Sequence, residues 1–177
     1  DVATHLSKGD QLVLGYRENP AETMDPRRVL VEKFENFLVE QKYGIRLIDA
    51  QCGCWGFQGD LLKHFPLIAQ SYAIEIDVLI GALSKGISPK YTRVKLVSVL
   101  DAAGQKQTDY DATEDIRKLE FLLYRLDIQA NMLSVLVKQY ETQANITLPT
   151  AYKDSMKSIQ ERVSRPKREP FVYPPNP

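Results

Sequence analysis

The chain is poor in cysteine, histidine and tryptophan, and it has no net charge. It has 177 residues but only two cysteines, two histidines and one tryptophan, and its 23 basic side chains balance its 23 acidic ones. Two cysteines are too few for a disulfide-built scaffold, so the fold must depend on packing. A net charge of zero gives no overall attraction for nucleic acid or for an anionic membrane surface. The composition therefore predicts a packed domain that does not bind nucleic acid.

A long uninterrupted apolar segment is also missing. The most apolar region, Leu67 to Leu83, contains the carboxylates of Glu75 and Asp77, and a charge at the centre of a bilayer costs several kcal/mol. We therefore expect no membrane span, while peripheral association with a membrane stays open. The chain begins at Asp1 without Met, which is compatible with an exported or organelle-targeted chain whose leader has been removed.

Short catalytic motifs are absent too. The sequence has no Gly-Lys-Ser/Thr phosphate loop, no His-Glu-x-x-His motif, no Gly-x-Ser-x-Gly turn and no dinucleotide-binding glycine fingerprint. A di-iron site needs Glu-x-x-His on two helices, and neither His5 nor His64 has an acid three residues before it. We therefore expect no catalytic residue, no metal and no other cofactor in this chain.

What is present predicts a mostly all-α fold, a bundle of four to five helices with extended N- and C-terminal arms. Residues 1–24 form the predicted N-terminal arm, which contains one short apolar run, "QLVLGY". Residues 25–164 form the predicted helical bundle domain. Residues 165–177 contain five of the ten prolines without any periodicity, which predicts an extended, polyproline-like tail.

Helix signals follow one another along the bundle region. Asp25 as N-cap, Pro26 at the first helical position and Gly44 as a stop predict the first helix. A second helix is expected from Phe65 to the cap at Lys85 and Gly86. The segment 89–103 combines a helix start with β-branched residues, so helix and strand both stay open and helix is favoured.

The strongest helix signal is a run of apolar residues spaced three and four apart. It follows a capping box formed by Asp111 and Glu114 and predicts one long helix that packs against others. A last helix is expected from Pro149 to about Val163, and Asn145 fits a polar helix stop between the two. The residues of the run are Ile116, Leu119, Leu123, Leu126, Ala130, Leu133, Val137 and Tyr140.

The segment Gln51–Asp60, "QCGCWGFQGD", is the most distinctive stretch of the chain. Cys52 and Cys54 are separated by one residue, which is an unusual spacing for redox or zinc sites. They form a possible thiol pair or a strained, labile disulfide, and buried structural thiols are the favoured interpretation. Trp55 and Phe57 are expected to plug the end of the bundle, with Trp55 largely buried.

Four other polar residues, Asp60, His64, Glu75 and Asp77, are more typical of structural roles than of a functional site. His64 and Asp60 could complete a metal site with the cysteines, but a helix-capping Asp60 and an exposed His64 are favoured. Glu75 and Asp77 stand in the most apolar helix, where each carboxylate must be paired with a cation or have a raised pKa. The expected partners are Arg93, Lys95 or Arg125.

The C-terminal tail is the predicted partner-binding segment. Lys167 and Arg168 precede Phe171 and Tyr173 in a proline frame, and a preformed extended segment loses little entropy on docking. The predicted function is a non-enzymatic structural or interaction subunit of a larger protein assembly, which docks through its terminal arms and its helical surface. The alternatives are a small ligand or metal carrier that uses the Cys52–Trp55 loop, or a small redox protein.

Overall fold

A computed structural model gives the fold and describes residues 1–18, 20, 24–69, 73–94 and 112–163. Within these ranges the chain forms α-helices, three strands and one 3-10 helix, so it is helix-rich without being all-α. The elements in chain order are α1 (Val2–Ser7), β1 (Leu12–Arg17), α2 (Pro26–Tyr43), β2 (Trp55–Phe57), the 3-10 helix (Gly59–His64), α3 (Ile74–Ser84), β3 (Lys90–Val94), α4 (Ala112–Leu126), α5 (Ala130–Ala144) and α6 (Thr150–Val163).

The three strands form a mixed sheet in the order β2-β1-β3. β1 pairs antiparallel with β2, where Val13 faces Gly56, and parallel with β3, where Val13 faces Lys90. The predicted all-α bundle is therefore wrong. Its failure has a physical cause, because strand pairing joins segments far apart in the sequence and leaves no signal in the local periodicity of any one of them.

The apolar run in residues 1–24 is the central strand of this sheet. Leu12, Val13 and Leu14 are all buried, so the extended N-terminal arm predicted here is wrong. β1 is preceded by α1, whose residues Val2 and Leu6 lie against Gly56 on β2. The proposed division of the chain after residues 24 and 164 stays a prediction, and the C-terminal arm lies outside the described residues.

The segment 89–103, for which helix was favoured, begins as a strand. Lys90–Val94 form β3, while residues 95–103 lie outside the described part of the chain. The parallel pairing places Thr92 beside Gly15 and Val94 beside Arg17. A Cβ atom on Gly15 would lie 2.5 Å from Val94 Cγ2 and 2.7 Å from the carbonyl oxygen of Cys54. The absence of a side chain at Gly15 therefore allows the sheet and the cysteine loop to approach each other.

Helix α2 confirms its sequence signals. The Asp25 side chain accepts a hydrogen bond from the Arg27 amide at 2.8 Å, Pro26 is the first helical residue, and Gly44 ends the helix with a φ of 68°. The start and the stop were predictable because both depend on residues adjacent in the sequence. Helix α6 likewise confirms the predicted last helix.

Helix α3 ends as predicted but begins later. Gly86 has a φ of 75° beyond its last turn, whereas the expected start at Phe65 is wrong because residues 65–69 are not helical. The buried carboxylate of Asp77 accepts hydrogen bonds from the amides of Ile68 at 2.6 Å and Ala69 at 2.8 Å. These bonds hold the preceding segment in a non-helical path against the helix.

The predicted single long helix is two helices, α4 and α5, separated at Asp127. Asp127 has a φ of 54°, and the Ile128 amide bonds back to the Leu123 carbonyl at 3.0 Å. Aspartate tolerates this left-handed conformation better than most residues, so the chain turns without a glycine or a proline. The apolar spacing continues across the turn because both helices bury one face.

The predicted polar stop at Asn145 is confirmed by its φ of 52° at the C-cap of α5. Asp111 of the expected capping box lies outside the described residues.

One apolar core joins the sheet to the helices. An aromatic group in it connects α2, α5 and α6: the Phe34 ring lies 5.3 Å from Tyr140 and 6.4 Å from Tyr152, between ring centroids. Phe34 and Tyr152 are completely buried, so this group fixes the outer helices against α2.

Candidate functional site

The Gln51–Asp60 segment contributes to the sheet. Its two cysteines are free and half-buried, and the Cys54 carbonyl accepts a hydrogen bond from the Gly15 amide at 2.6 Å. Burial raises the pKa of Cys52 above its usual range, which disfavours the reactive thiolate. These observations agree with the interpretation of Cys52 and Cys54 as structural thiols and give no sign of an activated one.

Trp55 is half-buried, less than expected, and it stacks on Phe57. The two ring centroids are 5.3 Å apart with an interplanar angle of 20°. The indole Nε1 donates a hydrogen bond to Glu75 Oε1 at 3.0 Å, and burial raises the pKa of Glu75 although this bond opposes the shift. Trp55 therefore ties β2 to the first turn of α3 and gives Glu75 a partner that the sequence did not suggest.

Asp77, the second acid of α3, has the cation predicted for it. The carboxylate is completely buried and lies 2.9 Å from the Nε of Arg125 on α4. Arg125 was one of three expected partners, and Asp77 also accepts the two amide bonds of residues 68 and 69. This ion pair connects α3 and α4 and has an evident structural role.

The possible metal ligands do not come together. Across the residues that the structure describes, no group of three or more His, Cys, Asp or Glu side chains could hold a metal ion. Asp60 is paired with Lys63 in the 3-10 helix, and His5 Nδ1 lies 2.8 Å from Asp10 Oδ2 near the N-terminus. His64 is exposed, but the expected helix cap at Asp60 is wrong, because α3 begins at Ile74 and Asp60 lies within the 3-10 helix.

A buried charge cluster is the feature that the sequence analysis missed. It centres on Arg17 at the end of β1, whose side chain is only 8% exposed. Its guanidinium donates to both oxygens of Asp49, at 2.7 Å and 2.6 Å, and to Glu32 Oε2 at 2.6 Å. Burial by itself lowers the pKa of Arg17, but hydrogen bonds and charge from Asp49 and Glu32 outweigh it and raise the pKa.

Glu35, one helical turn after Glu32, extends this cluster. It is 2% exposed, and burial raises its pKa to about 8, with the nearby charge of Asp115 adding to the effect. Gln51 donates to Glu35 Oε2 and accepts from the Lys118 ammonium at 3.3 Å. The other Glu35 oxygen has no hydrogen-bond partner, which leaves a negative charge there poorly compensated. Burial therefore favours the protonated form of Glu35, although the Lys118 charge and the Gln51 hydrogen bond act in the opposite direction and lower its pKa.

The buried charge cluster contains further charged groups besides Glu35. Its remaining charged members are three carboxylates and three cations, with Arg28 lying 3.5 Å from Glu32 and 4.0 Å from Asp115. The cluster consists of Arg17, Arg28, Glu32, Glu35, Asp49, Gln51, Asp115 and Lys118. The sequence contains a signal for this charge cluster. Glu32 and Glu35 lie on the same helix face as Val31 and Phe34, and a charged side chain on a buried face is almost always paired with another charge.

A second feature lies on the surface of α5. Met132 is 48% exposed and Val135 is 55% exposed, while Leu133, Val137 and Tyr140 of the same helix are buried. Val135 lines a concavity of about 630 Å³ together with polar residues of α5. Among the residues that the structure describes, Met132 and Val135 are therefore apolar side chains of α5 that remain largely uncovered.

A groove lies between α2, α5 and the loop before β2. It has a volume of about 570 Å³. Phe37 and Tyr140 lie in it with ring centroids 5.3 Å apart, and Ile48 at its border is 58% exposed. Gln143 lines both the groove and the α5 concavity, while the other α5 residues that line them lie on different sides of the helix.

Comparison with protein-family models, with curated proteins and with solved structures gives no match to this chain. The class that the fold defines is a helix-rich domain on a three-stranded mixed sheet. No helix within the described ranges is long and apolar enough to cross a membrane. The predicted partner-binding residues Lys167, Arg168, Phe171 and Tyr173 lie outside those ranges, so their role stays a prediction.

Proposed function

We propose that this chain is a non-enzymatic interaction subunit of a larger protein assembly and that it docks through the outer surface of α5. The observation that carries the proposal is the exposure of Met132 and Val135. Met132 is adjacent to the buried Leu133, and Val135 is two residues from the buried Val137. The helix α5 therefore carries apolar side chains on its exposed side as well as on its buried side. Exposed apolar residues grouped beside a concavity are typical of protein interaction surfaces.

The geometry of the thiols favours this function over the redox alternative. A redox-active cysteine is typically found in an electropositive, partly exposed place where its pKa is lowered. The pKa of Cys52 is raised by burial and also by the negative charge of Asp49. Replacing Cys52 and Cys54 together by serine is therefore expected to leave the assembly intact, as measured by the mass of the native complex. Loss of activity in a folded variant would favour the redox alternative.

The test of the proposed function compares two pairs of exposed apolar residues. Met132→Gln with Val135→Gln changes the α5 surface, and Ile68→Gln with Ile74→Gln changes two of the other three large exposed apolar residues of the described chain. Each tagged chain is expressed in its source cells, and its native mass is measured by size-exclusion chromatography with native mass spectrometry. We expect the wild type and the Ile68/Ile74 variant in a stoichiometric protein complex, and the α5 variant largely as a 20.2 kDa monomer.

Two results would contradict the proposal. A wild-type chain that is monomeric in its own cells would show that no assembly contains it. A complex retained equally by both variants would show that the α5 surface does not form the contact. A small molecule or metal bound in native mass spectrometry would favour the carrier alternative, because a carrier retains its ligand in the absence of protein partners.

A further inference from the structure

Helix α2 carries three buried polar atoms that have no hydrogen-bond partner among the residues that the structure describes. They are Arg28 Nε, Glu32 Oε1 and Glu35 Oε1. Their residues are spaced four and three positions apart, so they share one side of the helix. Buried polar groups in folded chains nearly always have a partner, either in the protein or in ordered water. Three such atoms on one stripe of α2 therefore indicate a shared ligand.

The distances around Arg28 indicate a gap between α2 and α4. Arg28 Nε lies 3.5 Å from Glu32 Oε1 and 4.0 Å from Asp115 Oδ1. Both separations are longer than the roughly 2.7–3.2 Å of a direct N–H···O hydrogen bond, and polar contacts of this length are often bridged by water. The charge of Asp115 also acts on the pKa of Glu35, so Glu35 belongs to the same gap.

The chemistry of the three atoms selects the ligand. Glu32 Oε2 and Glu35 Oε2 already accept bonds from Arg17 and Gln51, which leaves only the Oε1 atoms for another group. Arg28 Nε–H can donate but never accept, whereas the Glu32 carboxylate accepts. A cation cannot accept the Arg28 hydrogen, and an anion cannot donate to Glu32. Water does both and is the smallest molecule that can.

We propose that an internal water molecule binds between α2 and α4, where it accepts a hydrogen bond from Arg28 Nε and bonds to Glu32 Oε1 and Glu35 Oε1. About three bonds are usual for a buried water. Water serves either form of Glu35, because it accepts from the protonated acid and donates to the carboxylate. The Arg28 side chain is 40% exposed although its Nε is buried, so Arg28 connects the site to the surface. The site lies inside the domain and goes beyond the proposed function, on which it does not depend.

The first test detects the water by NMR spectroscopy of the full chain in solution. The Nε–H of Arg28, assigned from the spectrum of Arg28→Lys, is expected to show a water cross-peak with the NOE sign of a long-lived bound molecule. The rotating-frame spectrum separates this contact from chemical exchange. Arg27 is the matched control, because its Nε donates directly to Asp25 Oδ1 at 2.9 Å, and it is expected to show no long-lived contact.

The second test counts the long-lived waters by magnetic relaxation dispersion of the water deuterons. Arg28→Met removes the donor at a partly exposed position and is expected to lose about one water relative to the wild type. Arg27→Met, at the neighbouring exposed position, is expected to keep the wild-type number. Glu35→Leu removes a second partner and should lose the same water. Amide spectra establish that each variant is folded.

The wild-type NMR spectrum decides the proposal even if a variant does not fold. A long-lived contact at Arg28 and not at Arg27 supports the water site, as does a loss confined to the Arg28 and Glu35 variants. No long-lived contact at Arg28, or equal water numbers in the wild type and in folded Arg28→Met, overturns it. Neither result bears on the interaction subunit, which is tested by the mass of the native complex.

Discussion

The buried charge cluster and the α2–α5 groove use two faces of the same helix in opposite ways. On one face of α2, Glu32 is buried against the Arg17 guanidinium, and Glu35 is buried with a raised pKa. On the other, Lys33 lies near the groove without an ion-pair partner, beside an exposed Ile48. The charges that a folded chain usually exposes are inside, and apolar groups that it usually buries are outside. The difference teaches that the buried charges find ionic partners within this domain, whereas the exposed groove is where the proposed function would place a second surface.

The largest expected effect comes from removing the centre of the cluster. Arg17→Met leaves Glu32 and Asp49 buried without their cation, which is expected to lower the free energy of unfolding by about 3–5 kcal/mol. Arg93→Met is the matched control, because Arg93 pairs with Glu18 where both side chains are more than half exposed, and such pairs contribute about 0–1 kcal/mol. Urea unfolding measures both. Equal effects would show that the Arg17 cluster is no more important for stability than a surface ion pair.

A second prediction concerns the pH dependence of stability. The pKa of Glu35 is 4.5 in its ordinary state and about 8 in the fold, so between these values the folded chain binds one proton more than the unfolded chain. The free energy of unfolding therefore falls as pH rises from about 5 to about 8, by on the order of 1 kcal/mol per pH unit. The raised pKa of Glu32 acts in the same direction.

The pH prediction is checked by urea unfolding at several pH values. Glu35→Gln keeps the shape and an acceptor for Gln51 but removes the titration, so it should flatten most of this dependence. Glu18→Gln, at an exposed position, should leave the dependence unchanged. A wild-type stability that is constant or rises between pH 5 and pH 8 would contradict the protonated Glu35.

A smaller effect on stability is expected for the exposed surface of α5. Met132→Gln with Val135→Gln should change the free energy of unfolding by less than about 0.5 kcal/mol per residue, because both side chains are largely solvated in the isolated domain. The same variant should lose the native complex. If the substitutions instead destabilise the isolated chain by several kcal/mol, the two residues belong to the fold and the contrast between the buried cluster and the exposed surface fails.

The smallest effect on stability is expected for the C-terminal tail. Its proline-rich composition predicts no contribution to a core, so deletion of residues 166–177 should leave the melting temperature nearly unchanged. If the tail binds the partner, Phe171→Ala with Tyr173→Ala should weaken the assembly as the deletion does, while charge reversal at Lys167 and Arg168 should mainly change its salt dependence. A truncated chain that assembles with wild-type affinity would leave α5 as the docking surface.

The sequence predicted those elements whose signals are local. The cap at Asp25, the stop at Gly44 and the left-handed Asn145 each depend on a few neighbouring residues. The sheet was missed because Val13 pairs with Lys90 and Gly56, and nothing near Val13 indicates either partner. The turn at Asp127 was missed because the apolar spacing continues through it.

The candidate sites were less predictable than the helices. Arg17, Glu32 and Asp49 come from three separate segments, so their meeting depends on the tertiary fold. The exposed side of α5 has a signal in the sequence, since Met132 and Val135 are apolar and lie outside the main apolar seam. Exposure itself requires the structure, because a wide apolar face is equally compatible with a fully buried helix.

The parallel pairing of β1 with β3 affects how the chain is made. A ribosome adds roughly 5–20 residues each second, so β1 leaves it several seconds before Lys90, the first residue of β3, has been synthesised. During that time Leu12, Val13 and Leu14 have no partner on the β3 side, although all three are buried in the finished fold. During synthesis the β1 segment is thus an apolar strand without its β3 partner, and a chaperone that binds short apolar strands would find a site there before the sheet is complete.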